Sequence, residues 1–65
     1  MNSKDWHEAP YFAKWRAVDN HGLLTWDEFK PKWNWFTGTW QRTKGLRQLG
    51  ATTEPGGKES LEARP

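Results

Sequence analysis

The sequence predicts an all-α fold: a small antiparallel helix pair, with a first helix over about 10–19, a bent second helix over about 25–43 and a disordered tail. Three observations predict it. Trp26, Phe29, Trp33, Phe36 and Trp40 recur at steps of three, four, three and four, the spacing of one helix face laid on a partner surface. Tyr11, Trp15 and Val18 fall at i, i+4 and i+7. Thr25 is followed by Glu28 as in a capping box, with Leu24 and Phe29 placed for a hydrophobic staple.

Taken in order, Asp5-Trp6-His7-Glu8 has a cap and an acid three residues on. Pro10 suits the first position of a helix, where its missing N–H does no harm. Ala13 and Ala17 favour the helix that follows, and Lys14 and Arg16 point away from its apolar stripe. Asn20 and Gly22 end it, Gly22 by adopting the left-handed conformation. In the second helix Pro31 removes a hydrogen bond and crowds the Asp27 carbonyl, so a bend is expected there. Gly38 weakens the later turns by about 1 kcal/mol relative to alanine.

The rival reading of 32–43 is a β-hairpin, with Lys32–Phe36 and Thr39–Thr43 as arms around Thr37-Gly38. The helix is preferred because its spacing continues across Pro31 and strict alternation fails at Phe36. Gly45 and Gly50 bracket one turn carrying Leu46 and Leu49. The rest is rich in glycine, proline and polar residues, so the chain divides into a helical unit over 1–49 and a disordered tail over 50–65.

Sixty-five residues make one small domain at most. All ten aromatics lie between Trp6 and Trp40, isoleucine is absent and valine occurs once, so aromatic rings must fill the core. There is no cysteine, which excludes disulfides and thiolate metal sites and fits a reducing compartment. No apolar run is long enough to cross a bilayer, and the start MNSKDWHEAP lacks the form of a secretory signal. Cytoplasmic localisation is therefore expected. So small a core makes self-association or a partner protein the expected extra source of stability.

Net charge is +2. Lysine, arginine and acids balance over residues 1–40, after which Arg42, Lys44 and Arg47 form a local basic cluster. Ala17 to Phe29 resembles the loop of the EF-hand family: Gly22 matches its central glycine, Leu24 the apolar position and Glu28 the closing acid, followed by Phe29. Asp19 and His21 stand at the third and fifth positions. Ala17 occupies the first position, where the family carries aspartate, and calcium takes six to eight oxygens, so no calcium site is expected. His7, Glu8, Asp19 and His21 lack zinc-ligand spacing, and neither a catalytic constellation nor a cofactor motif is present.

The function expected is that of a non-enzymatic protein-binding module: a regulator, an inhibitor or a small subunit of a larger assembly. On the helical reading Trp35 lies about 200° around from Trp33, on the solvent side. Trp35, Lys32 and Arg42 are accordingly the candidate contact residues, with another protein or a second copy as partner. The alternative is nucleic-acid binding, with Arg42, Lys44 and Arg47 on phosphates and Trp35 or Trp40 stacked on bases. A helix-turn-helix reading fails because Trp26, Asp27, Glu28 and Phe29 open the second helix, where basic and polar side chains belong.

Overall fold

The computed structural model describes residues 6–52 and 56–65, and its architecture is β rather than α. Strands β1 (Trp15–Val18), β2 (Leu23–Asp27), β5 (Arg47–Ala51) and β6 (Glu62–Ala63) form a four-stranded antiparallel sheet in the order β5-β2-β1-β6. Strands β3 (Lys32–Asn34) and β4 (Thr39–Gln41) form a separate antiparallel hairpin. Two single 3-10 turns, Trp6–Glu8 and Lys58–Ser60, are the only helical elements among the described residues.

The β1–β2 connection explains why residues 15–27 are a hairpin. Asp19 Oδ1 accepts hydrogen bonds from the backbone N–H of His21 (2.8 Å) and Leu23 (3.0 Å), and Gly22 N donates to Asp19 O (3.1 Å). Gly22 supplies a positive φ of 81°, giving the three-residue loop in which a type I turn is followed by a left-handed glycine. The register Val18↔Leu24, Ala17↔Thr25, Arg16↔Trp26 and Trp15↔Asp27 then follows. Paired residues share a face and neighbours alternate. Arg16, Val18, Leu24 and Trp26 therefore lie on one face, and Trp15, Ala17, Thr25 and Asp27 on the other.

The first face carries the main core: Val18, Leu24 and Trp26 pack with Ala13 and with Trp6, whose ring meets Trp26 edge-on at 5.3 Å. The Trp6 indole donates to Glu62 Oε1 (2.8 Å), tying the start of the described chain to β6. On the second face, Asp27 is buried and accepts from Arg47 Nε across the β2–β5 pair at 3.0 Å.

The helix pair is thus corrected. Trp15 and Val18, which a helix would align, point to opposite faces of β1, and Tyr11 is exposed. Thr25 is not a cap: it is buried in β2, and its hydroxyl reaches Ala17 O across the pair at 3.4 Å. Glu28 Oε1 instead accepts from Leu46 N (3.0 Å). Pro31 does not bend a helix but is buried immediately before β3, where its lack of an N–H removes no ladder bond. The hairpin reading of 32–43 describes this stretch, with arms shorter than expected. Leu46 and Leu49 sit not in a turn of helix: Leu46 immediately precedes β5 and Leu49 lies within it.

The tail is corrected as well. Gly57 N donates to Val18 O (2.8 Å), Ser60 Oγ accepts from Val18 N (2.8 Å), and Arg64 N donates to Lys14 O (2.8 Å). Gly56 lies so close to Asp19 O and Val18 that a Cβ there would overlap both. The composition that looked disordered supplies the small residues this close approach requires. The expected Asp5 cap and the tail residues 53–55 lie outside the described residues.

Candidate functional site

Among the described residues there is neither an enclosed cavity nor a cluster of three side chains able to hold a metal. The distinctive surface is the tip of the β3–β4 hairpin. Cross-strand pairs Lys32↔Gln41, Trp33↔Trp40 and Asn34↔Thr39 leave Trp35, Phe36, Thr37 and Gly38 as its loop. Gly38 has φ of 69°, and its N–H donates to Asn34 O (2.8 Å), closing the turn. Asn34 Oδ1 accepts from Phe36 N (3.0 Å) and Thr37 N (3.3 Å), the local side-chain bond that asparagine makes well.

Trp35 and Phe36 project from this loop with 75% and 83% of their surfaces exposed. Their rings stack on each other, with centroids 4.5 Å apart and planes 14° from parallel. The loop is also held from behind. Asn20 N donates to Gly38 O (2.9 Å), and His21 Nε2 donates to Thr37 O (3.2 Å). A Cβ at Gly38 would run into the Asn20 side chain. The β1–β2 turn thus serves as a platform for the two rings.

The hairpin is fastened to the main sheet by Trp40. That residue is 6% exposed, its indole N–H donates to Val18 O (3.2 Å), and its ring meets Trp33 edge-on at 5.0 Å. Lys32 is exposed at the opposite end of β3 from the tip, facing Gln41 with Arg42 the next residue on. The fold thus brings Lys32 close to Arg42 but leaves Trp35 at the far end of the hairpin.

Each of the other basic candidates has an internal partner. Arg42 Nη1 donates to Gly45 O (2.9 Å), Lys44 Nζ stands 4.8 Å from the Phe29 ring centroid, and Arg47 pairs with Asp27. Trp35 is exposed for a reason other than the one that singled it out: it occupies a turn, not the solvent side of a helix. Phe36 was missed as a surface residue. Its signal was the break in alternation at that position, which marks the turn between Asn34 and Gly38.

Comparison with protein-family models, with curated proteins and with solved structures finds no match to the chain.

Proposed function

We propose that this chain is a small non-enzymatic module that binds another protein by inserting the Trp35–Phe36 tip into an apolar recess of the partner. One observation supports this reading above the rest. Two adjacent rings are left in solvent on a turn whose backbone is held by Asn34, His21, Asn20 and Gly38. Burying a ring of about 150–250 Å² at about 25 cal/mol/Å² offers roughly 4–6 kcal/mol before ordering costs. The mutual stack lowers that gain, because each ring already covers part of the other. Prior ordering of the turn lowers the entropy lost on docking, which raises affinity. Lys32 and Arg42, at the hairpin base, fit a peripheral polar contact of modest energetic weight.

Nucleic-acid binding draws less support. The Trp40 ring is enclosed, Arg47 is paired with the buried Asp27, and Lys44 lies over the Phe29 ring. Action in the cytoplasm belongs to the proposal and leans on the cysteine-free sequence. No helix among the described residues is long and apolar enough to cross a membrane.

The test compares wild type with Trp35→Ala, Phe36→Ala and Lys44→Ala, all with unchanged melting curves, in stoichiometric capture of one host protein. Capture should fall at least tenfold for the two tip variants and hold for Lys44→Ala. Equal capture by wild type and the Trp35→Ala/Phe36→Ala double variant sinks the reading. Tight binding of a single-stranded oligonucleotide that weakens steeply with salt and is lost with Lys44→Ala points to the nucleic-acid alternative instead.

A further inference from the structure

The two edges of the four-stranded sheet are built differently. β6 contributes two residues and runs directly into Arg64-Pro65, a short edge closed by proline. At the other edge β5 runs for five residues, Arg47-Gln48-Leu49-Gly50-Ala51, with no proline. Edge strands are ordinarily shielded by charge, proline, bulges or extreme shortness, because their outward N–H and C=O groups are a template for another strand. The one charged residue in β5, Arg47, is turned to Asp27 at 3.0 Å. Leu49 in its centre is 56% exposed, beside Leu23, which is 39% exposed on the same face.

The hydrogen-bond pattern shows which groups this edge presents. Asp19 N donates to Leu23 O and Lys14 N to Asp27 O, so the alternate residues Leu23, Thr25 and Asp27 of β2 bond toward β1. Leu24 and Trp26 bond toward β5, and Glu28 N continues the series by donating to Leu46 O (3.0 Å). Their partners Gln48 and Gly50 therefore turn their backbone groups inward. Arg47, Leu49 and Ala51 turn theirs outward, three successive positions of one antiparallel ladder.

We infer that β5 pairs antiparallel with β5 of a second copy, about a two-fold axis at Leu49, to form a continuous eight-stranded sheet. The sequence of the edge is self-complementary in that register. Leu49 meets Leu49 of the second copy, and each Arg47 meets Ala51, so every outward backbone group finds a counterpart. The two Arg47 side chains stand about four residues apart along the strand, roughly 13 Å, beyond a Debye length at physiological salt. Moving the axis to Arg47 or to Ala51 sets Leu49 against a residue outside β5, so only the Leu49 register pairs all three outward positions within the strand. Such a contact closes on itself and makes a dimer, not a fibre. A single strand edge is at the small end of protein interfaces, so the dimer is concentration-dependent. It is independent of the tip and gives the assembly two copies of it.

Sedimentation equilibrium on the full chain, from about 10 µM to about 1 mM, tests this across the range where weak contacts form. Wild type should rise toward twice the 7.7 kDa chain mass. Leu49→Lys and Leu49→Glu, at an exposed position and with unchanged circular dichroism, should each remain monomeric, and their equimolar mixture should recover the dimer mass. Trp35→Ala should dimerise as wild type does. A wild type that stays monomeric throughout, a Leu49→Lys variant that dimerises equally, or a dimer abolished by Trp35→Ala each overturns the inference.

Discussion

Trp35 and Trp40 lie five residues apart on one hairpin and have opposite surroundings. Trp40 is enclosed, its N–H on the Val18 carbonyl and its ring against Trp33. Trp35 stands in solvent, with Phe36 covering one side of its ring. The difference is topological. Trp40 follows the turn and pairs with Trp33, on the hairpin face that meets the main sheet, whereas Trp35 falls within the turn and has no sheet to face. The same side chain is a structural anchor in one position and, on the function proposed above, contact surface in the other.

Substitutions should separate the two roles, and the largest effect belongs to the anchor. Trp40→Ala should cost about 3–5 kcal/mol through the cavity it leaves. Native stability scales as roughly 0.05–0.15 kcal/mol per residue, on the order of 3–10 kcal/mol for 65 residues, so that loss removes a large share of it and lowers the thermal and urea midpoints steeply. A Trp40→Ala variant that melts like wild type would contradict the anchor role.

Gly38→Ala comes next, at about 1–3 kcal/mol, because the new Cβ must adopt a positive φ and displace Asn20. Urea unfolding reads this cost directly. Asn34→Ala removes the acceptor for Phe36 N and Thr37 N at an exposed turn. About 0.5–1.5 kcal/mol of stability is expected to go, with a larger proportional loss of partner binding as the rings lose their fixed platform. Trp35→Ala is the smallest in stability, under about 1 kcal/mol, since it forfeits only an exposed stack. Its signature is intact melting with binding lost, the reverse of Trp40.

Parts of this contrast were legible in the residues and parts were not. Gly22 was expected to adopt a left-handed conformation, and it does, but it closes a strand turn instead of a helix. Trp35 was expected to face solvent, on a helical geometry the chain does not have. The three-four spacing from Trp26 to Trp40 is distributed over β2, a connecting bend, β3, the tip and β4, so it never forms a single face. Thr25 and Glu28 matched a capping box, yet each spends its oxygen on a partner outside any helix: Ala17 in one case, Leu46 in the other.

What the sequence determined by itself is local and compositional: no cysteine, and glycines with asparagines where the chain reverses. The rings do not fill the core alone, since Trp6, Trp26 and Trp40 are buried with Ala13, Ala17, Val18 and Leu24 while Tyr11, Phe29, Trp35 and Phe36 are exposed. Strand identity was decided only by tertiary structure. β2 gains its two partners from β1 just before it and from β5 some twenty residues later, and Val18 is fixed by Gly57 and Ser60 from the far end of the chain. A helix satisfies its backbone within a few residues, so its signal is local. A strand satisfies its backbone with a distant segment, and spacing along the chain carries no record of which segment that is.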